Sequence, residues 1–313
     1  MTGSASMSDP RPQRRSDSGF VLIAVLWMLA ALATLASIYS AYALQTVDAS
    51  HVLDDRLQAE ASIRAGIELT ALRRLSGPEA ARPSQGAFTL RVGRTKVAVR
   101  YRSEASRIDL NAAPPDLLAG LFAAIGVDSD KARVFADRVV GWRTKSGAGG
   151  SDKEAGFYAE SQTPYPPRQA PFDNSLELSL LSGLPMRVAE RALPFVTIFS
   201  GQAGIDVASA DPTVLSALPG MTPEIMSAVL RARAKAPADP NALLSLLGPA
   251  GSRAATDSSK AVRTSLEVAF DNGRRVLAEV VFRLNENADE PYDVLSWRDD
   301  FDGPITLAGE FSR

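Results

Sequence analysis

Cysteine is absent from the 313 residues, and histidine occurs once, at His51. The first absence excludes a disulfide framework, a thiolate zinc site and a cysteine nucleophile; the second excludes a multi-histidine metal centre. A Ser-His-Asp triad would have to rest on His51 alone, which lies just beyond an apolar segment where a lone histidine is ordinarily interfacial. Charge of one sign is also scarce in excess, because 34 Lys+Arg face 36 Asp+Glu, a poor balance for gripping a polyanion. Carboxylate pairs such as Asp299-Asp300 sit in polar, turn-rich surroundings that offer no cause for a perturbed pKa. No constellation suggests catalysis. What remains is an ordinary globular composition, 45% apolar and 22% charged, long enough for one large domain or two of average size.

Charge is unevenly distributed. From Phe20 to Val47 the chain runs 28 residues without a charged side chain. At 1.5 Å per helical residue that is roughly 42 Å, more than the ~30 Å hydrocarbon core of a bilayer. Arg11, Arg14 and Arg15 precede the run, and Asp48, Asp54 and Asp55 follow it, so the basic bias places the N-terminus in the cytoplasm and the bulk of the chain outside. The run is longer than the apolar region of a secretory signal peptide, and no A-x-A-like site closes it. The small residues stand in front instead, in Ser18-Gly19-Phe20-Val21-Leu22-Ile23.

A basic leader, a glycine, a phenylalanine and an uninterrupted apolar helix resemble the N-terminus of type IV prepilins and pseudopilins. The resemblance implies cleavage by prepilin peptidase between Gly19 and Phe20. In most such subunits the fifth residue after the cut is glutamate, paired with a neighbour's N-terminal amine; here it is Ala24. A subunit without that carboxylate suits the end of a filament rather than a repeating position in it. The tract from Gly19 to Trp27 resembles the minor pseudopilin K proteins of type II secretion, while the plain reading of Ala24 is one more apolar residue in a membrane helix.

Beyond the membrane segment, Leu53, Leu57, Ala61, Ala65, Leu69 and Leu72 recur at steps of four or three, with Ile63 and Ile67 widening the stripe. The pattern predicts a helix from Phe20 to about Leu75, ended by Gly77-Pro78. Two hairpins should follow, far apart in sequence. Phe88, Leu90 and Val92 alternate up to Gly93-Arg94-Thr95, after which Val97, Val99 and Tyr101 alternate again. Leu266, Val268 and Phe270 lead into Asp271-Asn272-Gly273, and Val276, Ala278, Val280, Phe282 and Leu284 share the face that follows. Pro291 to Trp297 suggests an edge strand. The expected class is α+β: a pilin-like fold, with a long helix packed on an antiparallel sheet, interrupted by a large inserted all-α domain. The expected divisions are a leader over 1–19, a membrane segment over 20–47, the pilin-like part over 48–107 and 260–313, and the helical insertion over 108–259.

The insertion contains an internal repeat. Ile108-Asp109-Leu110-Asn111-Ala112-Ala113 leads to Pro115 and Leu117-Leu118; 97 residues later Ile205-Asp206-Val207-Ala208-Ser209-Ala210 leads to Pro212 and Val214-Leu215. In each copy an extended lead-in reaches a turn whose aspartate can accept backbone N–H bonds, and a helix anchored by two aliphatics follows. Between the copies come Gly141-Trp142, a glycine-rich stretch, Tyr158, Pro164-Tyr165, Pro171-Phe172 and Glu177-Leu178. This order resembles the minor pseudopilin K proteins, with Ala208 departing from the asparagine at Asn111. The resemblance implies an inner-membrane, single-pass, largely periplasmic subunit. It would cap the pseudopilus tip with I-type and J-type minor pseudopilins and help to initiate assembly, with exoproteins as further contacts. Leu22, Ile23, Leu26 and Leu29 would pack against partner helices.

The same family is associated with Ca²⁺. Asp152, Glu154 and Glu177 are the candidate oxygen ligands here, although the acidic run after the tryptophan is replaced by Arg143-Thr144-Lys145. A solvated loop is the alternative. The competing resemblance is to helix-hairpin-helix DNA-binding proteins, through Leu218-Pro219-Gly220-Met221-Thr222-Pro223-Glu224, and it implies as the alternative function a membrane-anchored DNA-binding and uptake protein. There Thr222 replaces the usual second glycine and Glu224 stands beside the would-be phosphate site, so no nucleic acid is expected.

Overall fold

The structure, a computed structural model, describes residues 18–76, 82–145, 153–161, 165–234, 240–255, 259–285 and 289–301. The chain divides into two compact units, Met1–Leu57 and Gln58–Arg313, each containing part of helix α1 (Ser18–Leu75). In the first unit, Phe20–Tyr42 is long and apolar enough to cross a membrane, and none of it is buried within the molecule.

In the second unit the expected long helix and antiparallel sheet are present. Strands β1 (Gln85–Val92), β2 (Thr95–Ser103), β7 (Ala261–Phe270), β8 (Arg275–Leu284) and β9 (Tyr292–Asp299) form one sheet in the order β1-β2-β7-β8-β9. All four pairings are antiparallel. The alternating residues named above supply its core, with Val97, Val99, Leu266, Val268, Ala278, Val280 and Phe282 all within 1% of complete burial. Period-two patterning carried the strands because one face of the sheet is apolar and packed on α1, while the other, although Ser265, Glu279 and Val281 are buried on it, carries mostly polar side chains.

The face of α1 that covers the sheet takes in only the Ile63 and Ile67 edge of the expected stripe. Ala59, Ile63, Ile67 and Ala71 are buried, while Leu57 and Leu72 remain 57% and 61% exposed. Small and β-branched residues let the helix approach closely, and the Ser62 hydroxyl reaches the Thr95 hydroxyl at 2.7 Å. Leucine periodicity therefore marked an outward face of this helix.

The chain leaves the sheet after β2 and returns in β7, and the two strands are partners, with Ser103 opposite Val262. Adjacent ends allow a large segment to be inserted without opening the sheet. That segment holds β3 (Ile108–Asp109), α2 (Pro115–Ala124), α3 (Ser129–Arg143), α4 (Lys153–Glu160), α5 (Met186–Ala192) and β4 (Val196–Thr197). It continues through β5 (Ile205–Asp206), α6 (Pro212–Ser216), α7 (Pro223–Ala234), α8 (Pro240–Leu247) and β6 (Ala254–Ala255). It is not all-α: Ile108 pairs in parallel with Val196, and Ile205 with Ala254. Such two-residue parallel pairs join distant positions and leave no local periodicity to read. The segment has its own apolar core, in which Leu117, Leu118, Val214 and Leu215 are fully buried, as the repeat implied.

Candidate functional site

The first lead-in turn is built around Asp109. One of its carboxylate oxygens accepts the N–H of Asn111 at 2.7 Å and of Ala112 at 3.2 Å, closing the turn; the other accepts the Ser200 hydroxyl and the Gly201 N–H. Asn111 is thereby aimed at a distant loop. Its amide donates to the Phe172 carbonyl at 3.0 Å and accepts the Phe172 N–H at 2.7 Å, pairing with that backbone as a strand would.

Phe172 in turn packs with Trp142, whose ring also meets Tyr158, the centroids lying 6.2 and 6.0 Å apart. The Trp142 indole N–H donates to Glu177, and the Ser182 N–H donates to the Tyr158 hydroxyl. Burial, chiefly, pushes the Tyr158 phenol up to about 12, so it stays a neutral hydrogen-bonding group at every physiological pH. The residues whose order resembled pseudopilin K thus converge on one aromatic cluster, and what the cluster does chemically is hold the loop at Phe172 to the first lead-in.

The candidate calcium ligands are dispersed into other work. Glu177 accepts from Trp142, from Arg168 and from the N–H groups of Asp173 and Asn174, which makes it the return partner of a capping box. Glu154 pairs with Arg138 at 2.7 Å, both side chains being largely buried. Asp152 lies outside the described residues. Among the described residues no three histidine, aspartate or glutamate side chains come close enough to share an ion. Both oxygens of Glu177 and one of Glu154 are engaged by arginine, indole or backbone N–H donors, and the two carboxylates are not gathered round a common point.

The second lead-in repeats the first more deeply than the sequence showed. Asp206 accepts the Ala208 N–H at 2.9 Å and the Ser209 hydroxyl. In the first copy the Arg143 guanidinium donates to the carbonyls of Leu110 and Ala113; in the second Arg233 donates to those of Val207 and Ala210, the corresponding positions. Burial lowers both guanidinium pKa values from the usual one, while Asp109 and Asp206 respectively oppose the shift. Both copies turn between their helices at a glycine of positive φ, Gly126 at +87° and Gly220 at +79°. The arginine clamps were invisible to sequence reasoning, since their acceptors are backbone carbonyls that any residue carries.

At the hairpin around Gly220, the Ile225 N–H is already capped by Thr222, whose hydrogen bond also helps to hold the exposed Glu224 carboxyl below its ordinary range. Arg233 faces inward to its two carbonyls, and Lys235 lies outside the described residues. The N-terminus of α7 therefore presents a carboxylate where a phosphate would have to sit.

One charged network ties the segment to the sheet. Arg263 on β7 donates to Glu104 at 2.7 Å and to Glu279 on β8 at 2.6 Å, and the Thr197 hydroxyl of β4 donates to Glu104 as well. In the first unit, Gly19 and Phe20 fall inside α1, and Leu22, Ile23, Leu26 and Leu29 are 57–74% exposed. Residues 1–17 lie outside the described residues.

Residues 99–201 match the family model described as Type II secretion system (T2SS), protein K. No curated protein sequence matches the chain. Among solved structures, a chain of the crystal structure of the GspK-GspI-GspJ complex from the enterotoxigenic Escherichia coli Type 2 Secretion System is similar. Its TM-score is 0.55 at 15% identity, over 80% of this chain and 98% of that one. Identity that low shows a shared fold; the family resemblance is carried by the segment that contains Asn111, Trp142 and Phe172.

Proposed function

We propose that this chain, a K-like member of the type II secretion machinery by its family segment and fold, is a minor pseudopilin that caps the pseudopilus tip and helps to initiate its assembly. The protein K match over residues 99–201 carries the reading. Three features support it. Phe20–Tyr42 is a helix long and apolar enough to span a membrane, and Arg11, Arg14 and Arg15 before it favour a cytoplasmic N-terminus by the basic bias. Ala24 offers no carboxylate to a neighbour's terminal amine, which suits a subunit with nothing stacked above it. The inserted segment between β2 and β7 adds bulk that a filament interior has no room for.

The function is then one of assembly, and the partners are the I-type and J-type minor pseudopilins, as in the E. coli complex named above. Prepilin peptidase would release residues 1–19 by cutting after Gly19, and exoproteins would meet the periplasmic part. Size-exclusion chromatography of the full chain in detergent micelles tests the reading, with the I-type and J-type pseudopilins of the same source and, separately, with duplex DNA at moderate salt. Co-elution with the pseudopilins and no shift with DNA is expected. Co-elution with DNA and indifference to the pseudopilins would overturn it.

A further inference from the structure

The hairpin of β1 and β2 carries charge of one sign only. Between Gln85 and Ser103 stand Arg91, Arg94, Lys96, Arg100 and Arg102 and no carboxylate, within a chain whose net charge is −2. The register makes this excess costly. Arg91 lies directly opposite Lys96, on the face turned away from α1, because the adjoining pair Leu90 and Val97 belongs to the core between sheet and helix. Like charges opposed across two strands weaken a hairpin, so folding alone supplies no reason for the pair.

Little on that face neutralises it. Arg91 meets Asp271, in the turn between β7 and β8, only at 3.5 Å, with side chains 70% and 66% exposed, a pair that water screens well. Arg94 and Lys96 are exposed and take part in no ion pair among the described residues. Lys96, Ala98 and Arg100 follow one another along the face, and Glu267, opposite Ala98 on β7, is held by Arg275 at 2.6 Å. The turn of this hairpin is also where the chain enters the second unit. Gln58 donates its side-chain amide to the Val92 carbonyl at 3.0 Å, and the Ser62 and Thr95 hydroxyls lie 2.7 Å apart. Residues 43–57 join Gln58 to the apolar span Phe20–Tyr42, a tether of about 22 Å as helix. A basic surface on so short a tether to a membrane-spanning segment meets lipid headgroups at high effective concentration.

From the carboxylate-free hairpin, its opposed cations and the entry of the chain beside its turn, we infer that the turn and uncovered face of β1 and β2 dock on anionic phospholipid headgroups of the bilayer that Phe20–Tyr42 crosses. Arg94 and Lys96 dominate the contact, since no carboxylate of the chain already holds them. The inference rests on the membrane-spanning reading of Phe20–Tyr42 and is independent of which proteins the chain assembles with.

The test uses the full chain reconstituted in nanodiscs of phosphatidylcholine, alone or mixed with phosphatidylglycerol. Because the chain has no cysteine, Asn272→Cys in the neighbouring exposed turn gives a single site for a donor dye, and energy transfer to a headgroup-labelled lipid reads its distance from the bilayer. Two cations at an anionic surface should raise the ratio of docked to undocked chain about thirtyfold, so transfer should be higher in the mixed discs, and high salt should remove the difference. Arg94→Glu combined with Lys96→Glu should bring transfer in the mixed discs down to the phosphatidylcholine value. Arg187→Glu combined with Lys260→Glu, on α5 and beside the far end of β7, changes the net charge equally and should leave the difference in place. All four positions are exposed, and unchanged far-UV circular dichroism would exclude misfolding. Equal transfer in the two lipids would overturn the docking. So would an equal loss in the two double variants, which would trace the effect to net charge alone. A chain that fails to enter the discs would overturn the membrane span together with the docking.

Discussion

The copy of the lead-in that begins at Ile108 and the copy that begins at Ile205 share an aspartate turn, an arginine clamp and a positive-φ glycine between helices, but they differ in what else they touch. The first reaches outward. Asn111 pairs with Phe172, Trp142 holds the aromatic cluster, and Glu104, just before the copy, is locked to Arg263 on the sheet. The second has Ala208 in place of the asparagine, and its contact there is a long one, the Gln85 amide donating to the Ala208 carbonyl at 3.4 Å. The shared parts satisfy backbone groups that any such turn must satisfy. The unshared parts are long-range ties, and they are concentrated in the copy that lies within the protein K match.

If the first copy is the better anchored, its anchor to the sheet should be the most costly to remove. Arg263→Met leaves Glu104 and Glu279, 1% and 5% exposed, without their common cation, and about 3–5 kcal/mol of stability should be lost. The pH dependence has a definite sign. Burial alone would raise the Glu104 carboxyl, but Arg263, Arg107 and the hydrogen bonds from Arg263 and Thr197 outweigh it and hold it below its ordinary range. A depressed carboxyl stabilises fully above its unfolded value, near pH 4.3, and that stabilisation is lost as pH falls through the folded value. The parent's melting temperature should therefore drop below about pH 4.3. In Arg263→Met, burial is left to act without its main opponent, so acidification should relieve the variant. A parallel acid response in both proteins would break the claim that this network anchors the first copy.

The next largest effect should come where the two copies meet. A Cβ on Gly120 of α2 would lie 1.9 Å from the carbonyl oxygen of Ala217, at the end of α6. No side-chain rearrangement relieves a collision with backbone, so Gly120→Ala should cost about 3 kcal/mol, the upper part of the overpacking range. Amide exchange should accelerate in both α2 and α6, which would show that the copies share one joint; acceleration confined to α2 would show that they do not.

The clamps offer a like-for-like comparison. Arg143→Met and Arg233→Met each remove two hydrogen bonds from a half-buried guanidinium to carbonyls, and each should cost about 2 kcal/mol by thermal melting. Losses that agree within about 0.5 kcal/mol would establish the clamp as a common device; a large difference would mean that one arginine owes its value to something else.

How much of this was legible follows from where each signal lies along the chain. Both hairpins could be read, because alternating burial and the Asp271-Asn272-Gly273 turn are local. The aspartate turns could be read as well, since Asp109 and Asp206 close them within three residues of themselves; the reach of Asp109 to Ser200 and Gly201 could not. The buried face of α1 could not, Ile63 and Ile67 apart, because Ala59 and Ala71 are weak hydrophobic signals beside Leu57 and Leu72, and only the close approach of the sheet makes them the better choice. Nor could the arginine clamps or the parallel pairs β3–β4 and β5–β6, which join backbone groups far apart in sequence. Glu154 and Glu177 stand in the sequence as candidate metal ligands or as members of a solvated loop, because acidic residues near glycines look alike, and their bonds to Arg138 and an indole N–H depend on residues far along the chain.

The smallest effects bear on the asparagine itself. Asn111→Ala should cost about 2 kcal/mol, because it leaves the N–H and C=O of Phe172 unpaired beside a packed ring, and it should alter the near-UV circular dichroism to which Trp142 contributes. The reciprocal change, Ala208→Asn, should not stabilise the parent, since Ala208 is partly buried against the apolar core of the segment and an amide placed there must be desolvated. Should Ala208→Asn instead stabilise the chain as much as Asn111→Ala weakens it, the second turn would have a latent partner of its own. The difference between the copies would then be a single substitution, with no difference in how the two turns are built into the fold.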